Sequence, residues 1–239
     1  AEIRDKKWVA GVCLNAESLL DDRYRQDLLN TFSALDCDGY FIYVDKIDNT
    51  TNPTILYHYI TTFLELKKAT QKPIIAGRVN AIGIGLLCSG FTAYTSGAAR
   101  FDSFYEGLYK EESEAFNMYE RYYFPELLNT IGIERKNPVK HTAISNVIGV
   151  CDCKYCNGKS VSEIMNTKNN KLHFLESIKN EIINLNEVEE NERIDYFLQR
   201  IDSALINYNK LKSVFKPGDF QYLQNWKEVF TELKNNANV

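Results

Sequence analysis

Four short apolar runs alternate with stretches whose apolar residues fall at helical spacing, and this alternation constrains the fold more than any other feature of the chain. "WVAGVCL" is followed by "AESLLDDRYRQDLLNTFSAL", and "GYFIYVD" by "NPTILYHYITTFLELKKAT", where Asn52 can cap a helix and Pro53 sits in its first turn. "KPIIAGR" leads into the short "NAIGIGLLCSG", and "FTAYTSG" closes the series. Strand and helix in this order require a parallel sheet, because each return to the sheet in the same direction needs a crossover. Four such units predict an α/β fold of TIM-barrel-like (β/α) units, half of a (β/α)8 barrel.

Beyond Gly97 the pattern changes. "SFYEGLYKEESEAFNMYERYYFPELLNTIG" predicts a tyrosine-rich helical insertion that Pro125 kinks or ends, and "VKHTAISNVIGV" predicts an extended segment. The aromatic spacing of three and four residues points to packing against the barrel more than to base stacking. Three helical stretches follow at 160–185, 190–213 and 218–236, with "KPGD" marking the last break and "NEVEENER" a solvated acidic patch. The expected organisation is therefore a half-barrel with its insertion over 1–150, a metal-binding subdomain over 151–185 and a helical tail over 186–239.

With 239 residues, 44% hydrophobic and 25% charged, the chain can bury a sizeable core. A formal charge of −4 excludes a blanket polyanion binder, and no apolar run is long enough for a membrane helix. The start has no signal-peptide core and no initiator Met, so it is expected to be a cut or processed edge of a cytoplasmic protein. Cys13, Cys37 and Cys88 are scattered and are expected as buried free thiols.

The other three cysteines form "CDCKYC", at Cys151, Cys153 and Cys156, and His173 comes after sixteen further residues. Three thiolates and one imidazole make a complete tetrahedral set for a structural zinc, with no position left for a substrate. Lys154, Lys159, Lys168 and Lys171 surround the cluster and can either face phosphate or simply solvate the loop. His58 and His141 stand without a visible partner.

The order of strand–helix units, "CDCKYC" and "KLHFLESI" resembles the C-terminal half of the tRNA-guanine transglycosylases and their relatives that modify DNA. The resemblance covers about residues 8–182, with Cys151, Cys153, Cys156 and His173 matching the family's zinc motif one by one. It implies that "WVAGVCL", "DGYFIYV", "KPIIAG" and "SGFTAYTSG" are the fifth to eighth barrel strands. It also implies a base exchange or cleavage at an N-glycosidic bond of tRNA or DNA, with a base of the 7-deazaguanine class. The family's base-recognition segments read here as "GVCLNA" and "YVDKID", and the gap before His173 is shorter than usual. Two alignments place the nucleophile: one puts Thr95 there, which removes the chemistry, and the other puts Asp102 there. On the resemblance, the first four strands are missing and are expected from a longer precursor or a partner chain.

In a barrel, reactive side chains stand at the C-terminal ends of strands. Asn15, Asp45, Arg78, Thr95 and Ser96 occupy such ends, and Arg100 and Asp102 follow. Base exchange needs a carboxylate nucleophile and a second carboxylate to move protons, roles open to Asp102 and Asp45. The alternative is that Asp45 opens a polar loop while Asp102 pairs with Arg100 or caps a helix. Gly77, Arg78, Gly97 and Arg100 are candidates for holding a phosphorylated ligand or a nucleotide backbone. The partners so implied are nucleic acid and the absent half of the barrel. A non-catalytic subunit that binds nucleic acid or a partner protein is the alternative function.

Overall fold

A computed structural model of the chain describes residues 6–97, 121–132, 139–165 and 167–237. Strands β1 (Val9–Leu14), β2 (Gly39–Val44), β3 (Ile74–Gly77) and β4 (Ala93–Tyr94) form one parallel sheet in sequential order. Helices α1 (Asp22–Ser33), α2 (Pro53–Thr70) and α3 (Ile82–Ser89) make the connections. The expected alternation is therefore present, in an α/β architecture that is helix-rich beyond residue 138. Local signals set the helix starts. Asn52 accepts from Thr54 N–H with Pro53 behind it, and Asp21 accepts from the amides of Arg23 and Tyr24. That Asp21 cap splits the expected first helix into a short 3-10 turn, Ala16–Leu20, and α1.

The two faces of the sheet differ. Ladder pairing places Tyr40, Ile42 and Val44 in one row with Val12, Ile74 and Ala76, and every one of these is buried. Tyr40 sets α1 on this face: its hydroxyl donates to Phe32 O at 2.7 Å, and the two rings meet edge to face. On the opposite row, Val9, Gly11 and Cys13 are exposed, while Phe41, Tyr43, Ile75 and Ala93 are half-buried. Parallel strands are normally covered on both faces. The expectation that Cys13 is a buried thiol fails for this reason, since it lies on the uncovered row. Cys88 is buried as expected, and Cys37 is half-buried.

Helices α6 (Lys168–Asn186), α7 (Arg193–Lys210) and α8 (Gln221–Ala237) follow the short α5 (Val161–Ile164), close to the three stretches read from the sequence. α7 and α8 lie against α3 and α2, so α3 is enclosed. Its apolar character all round follows from that enclosure. Tyr94 covers Gly83 on its sheet side, and Phe197 and Phe230 press on Gly85 from the tail.

Two expectations are corrected in the middle of the chain. The described end of the insertion is not helical: β5 (Arg121–Phe124) and β6 (Asn129–Gly132) form an antiparallel hairpin, and Pro125 opens its 3-10 turn. Both strands are buried over most of their length, and pairing across the ladder satisfies their backbone groups, which outweighs helical spacing there. The segment expected as extended is instead α4 (Val139–Ile148), which packs on α7. Contact with a distant helix, which the segment's own residues do not announce, goes with the helical conformation.

Gly85→Ala tests the docking of the tail. Helix propensity alone would stabilise the variant by about 1 kcal/mol. The added methyl would collide with the Phe197 ring and reach Phe230 at 2.7 Å, and overpacking of this kind costs about 1–3 kcal/mol. A net loss of unfolding free energy is expected in urea melts.

Candidate metal centre

The cysteine loop is shaped by its backbone. Cys156 N–H and Asn157 N–H both donate to Cys153 O, at 3.0 and 2.8 Å, and Gly158 N–H donates to Cys151 O at 3.2 Å. Asn157 and Gly158 take positive φ in succession, which turns the chain back and gathers three sulfurs on one side. A capping box between Ser160 and Glu163 then starts α5, and Thr167 caps α6. His173 sits on the buried face of α6, and one turn earlier Asn170 donates to Arg121 O at 3.1 Å, holding α6 against β5.

Cys151, Cys153, Cys156 and His173 are brought together as the spacing anticipates, with their ligand atoms all within 4.8 Å of one another. A tetrahedral ion about 2.3 Å from sulfur and about 2.0–2.1 Å from nitrogen requires sulfur–nitrogen edges of about 3.6 Å. Cys151 Sγ and Cys153 Sγ each lie 3.6 Å from His173 Nδ1. The other ring nitrogen settles the tautomer. Nε2 is 2.9 Å from Tyr123 O, a carbonyl that can only accept, so Nε2 carries a hydrogen and Nδ1, which turns toward the sulfurs, is the ring atom left to bind an ion. The cluster could thus hold a metal ion, and its donor set suits zinc.

Burial works against charge on His173, yet its hydrogen bonds with Cys151 and Tyr123 O outweigh it and lift the imidazole to about 9. A hydrogen bond with Cys156 holds the Cys151 thiol down at about 3, and that bond together with burial pushes Cys156 up. An entering ion must expel these protons, so metal affinity is expected to fall as pH falls.

The sequence reading missed the groups that fasten this loop to the rest of the chain. Tyr122 OH lies 3.2 Å from Cys156 Sγ, and its ring stacks on His173 at 4.2 Å. Tyr123, whose carbonyl holds His173, donates its own hydroxyl to Glu181 Oε2 at 2.8 Å. Glu181 is 3% exposed and pairs with Arg200 at 2.6 Å, and Arg200 also donates to Pro125 O at 2.9 Å. Burial holds the Glu181 carboxyl above the usual range against the pull of Arg200. A signal existed for both: each is a charge set on or beside the apolar stripe of its helix, Glu181 between Phe174 and Leu185 and Arg200 beside Phe197 and Ile201. This pair walls a cleft of about 410 Å³ that reaches Cys151 and Cys153.

The strand-end candidates are placed as follows. Asp45 is buried just past β2, its amide donating to Leu14 O, with Lys46 at 3.8 Å. Gly77 lies beneath the rings of Phe41 and Tyr43, where a Cβ would meet both at 2.7 Å. Arg78 has φ +52°, and its amide donates to Thr95 Oγ1 at 2.9 Å. Thr95 directly follows β4, Asn15 caps the first 3-10 turn, and Gly97 is half-buried. Arg100 and Asp102 lie outside the described residues. Lys154 pairs with Glu176 at 3.2 Å, while Lys159, Lys168 and Lys171 are exposed.

A chain of amides joins these strand ends to the support of the cysteine loop. Asn80, after β3, donates to Asn49, after β2, at 2.6 Å. Asn49 reaches Asn129 on β6 at 3.2 Å, and Asn129 donates to Tyr208 OH at 3.1 Å. The hairpin that holds His173 is thereby tied to the C-terminal end of the sheet. Comparison with family models, with curated proteins and with solved structures finds no match to this chain.

Arg200→Met leaves the Glu181 carboxylate buried without its cation, a loss of about 3–5 kcal/mol at neutral to basic pH. A carboxyl whose folded pKa is raised is most stable below the unfolded value and loses stability as pH rises through the folded one. The variant's deficit is therefore expected to narrow as pH falls and Glu181 takes up a proton. Urea melts at about pH 5 and about pH 8 check the sign.

Proposed function

We propose that this chain is the zinc-stapled C-terminal half of a transglycosylase-like (β/α)8 barrel that exchanges or cleaves a nucleobase at its N-glycosidic bond in tRNA or DNA. The observation that carries the reading is the combination, in one chain and in family order, of a parallel sheet face that is exposed along β1 among the described residues and a Cys3His set. Val9, Gly11 and Cys13 on that face are what the interior row of a barrel becomes when the opposite strands are elsewhere. Four further parallel strands, from a longer precursor or a partner chain, would cover the face and pair the edges at β1 and β4. The zinc is structural. Its four protein ligands exclude substrate, and its work is to hold α6 and the hairpin together.

In the completed barrel a carboxylate would attack the anomeric carbon, forming a C–O bond as the C–N bond to the old base breaks. A second carboxyl would deliver the proton to the departing base, and an incoming base or water would then displace the enzyme carboxylate. Asp102 and Asp45 are the candidates, and Asp45 stands buried at a strand end where such groups belong. Gly77 is better accounted for by its packing under Phe41 and Tyr43, which leaves Arg78, Gly97 and Arg100 as the candidate phosphate contacts.

A second reading is favoured by Thr95. It occupies the position directly after β4, offers no carboxylate there, and uses its hydroxyl to accept from Arg78 N–H. On that reading the protein is a non-catalytic transglycosylase-like subunit that binds nucleic acid or a partner.

Three measurements test the proposal. Metal analysis is expected to find one equivalent of zinc per chain, and its removal by a chelator to lower the melting midpoint. Light scattering is expected to show that the chain alone self-associates or is unstable; a compact heat-resistant monomer would argue against a missing half. Incubation of the complete barrel with tRNA and with DNA is expected to release or incorporate base, with Asp102→Asn or Asp45→Asn inactive. No turnover on either polymer would leave the non-catalytic reading.

A further inference from the structure

A zinc ion with three thiolates and a neutral imidazole carries a net charge of −1, and that charge is costly to bury unless donors point at the sulfurs. The amides of Cys156, Asn157 and Gly158 go to the carbonyls of Cys153 and Cys151, and the backbone of Cys153 serves the Cys151 sulfur, not that of Cys156. Cys156 is fully buried, and water does not reach it. What does reach it is a phenol from another part of the chain. Tyr122 OH stands 3.2 Å from Cys156 Sγ and 3.5 Å from His173 Nδ1, and its ring lies parallel to the imidazole with centroids 4.2 Å apart and planes 12° apart.

We infer that Tyr122 is a positioning residue of the metal centre, donating its O–H to the Cys156 thiolate and fixing the plane of the His173 ring, so that the β5–β6 hairpin helps retain the ion. The inference rests on the metal reading above. Three consecutive hairpin residues then act on the site from one side: Arg121 O accepts from Asn170, Tyr122 donates to Cys156, and Tyr123 O fixes the His173 tautomer. Phenylalanine would keep the stacking and the volume and remove the donor alone.

The test compares wild type, Tyr122→Phe and Tyr123→Phe, each loaded with zinc and, separately, with cobalt(II). Zinc affinity in competition with a chromophoric chelator is expected to fall about 10- to 100-fold in Tyr122→Phe. The sulfur-to-cobalt charge-transfer band is expected to move to lower energy, because a thiolate that loses a hydrogen bond gives up its electrons more readily. Tyr123→Phe removes a phenol from the same hairpin that meets Glu181 and no thiolate, and its band is expected to match wild type. That contrast separates a bond to sulfur from a general loosening of the hairpin. A measurement on wild type keeps the test independent of how the variants fold: with cadmium-113 bound, the Tyr122 hydroxyl proton is expected to show coupling to the metal. Unchanged affinity and an unchanged band in Tyr122→Phe, or no coupling in wild type, would overturn the inference and leave the metal reading standing. Failure of wild type to bind zinc or cobalt would remove both.

Discussion

A parallel sheet has little freedom over its cover, because its connections place helices on its faces and its strands are apolar on both. Here one row, built around Tyr40, Ile42 and Ile74, is sealed by α1 and α2, and α3 is itself sealed by the tail helices. The other row carries apolar residues just as the first does, yet β1 leaves Val9, Gly11 and Cys13 open. The helical tail therefore thickens one side of the sheet and does nothing for the other. This asymmetry governs how the chain can be stable and what it must meet.

The β5–β6 hairpin is the joint of the structure. One side of it receives His173, Cys156 and Asn170, and the other meets Asn49 at the strand ends. Its turn is gripped by Arg200 and by Tyr222, whose hydroxyl donates to Leu127 O at 3.1 Å. Buried polar groups are costly unless each has a partner, and here they are satisfied in series from Asn80 through Asn129 to Tyr208 and from His173 through Tyr123 to Arg200. Such series specify how separate elements meet, since each member fits in one arrangement. The candidate metal loop is thus attached to the sheet's C-terminal end by directed bonds rather than by apolar contact alone.

The ligand set was legible because a Cys-x-Cys-x-x-Cys turn puts its sulfurs on one side of a tight loop whatever surrounds it, and a histidine on the next helix is the remaining strong donor nearby. Tyr122 and Tyr123 were not legible as site residues. Their spacing with Phe116 and Tyr119 suits a helix as well as a strand, and nothing local says that "RYYF" will pair with "NTIG". "VKHTAISNVI", expected as an extended segment, misled for the same reason: nothing within it says that α7 will offer a surface for a helix to pack on. Glu181 and Arg200 could have been suspected as charges among apolar helix positions, but not matched to each other.

By itself, then, the sequence determined what depends on neighbours along the chain. The four parallel units with their caps, the cysteine loop and the three closing helices all follow from periods, caps and turns acting over a few residues. Only the tertiary structure decided what depends on segments far apart in the chain. It set which row of the sheet is covered, placed a hairpin where a helix was expected, and gave His173 its orientation through a carbonyl fifty residues away. The physical reason is that backbone conformation is chosen locally when one choice is clearly cheaper, whereas burial and the partners of buried polar atoms are settled only when distant surfaces meet.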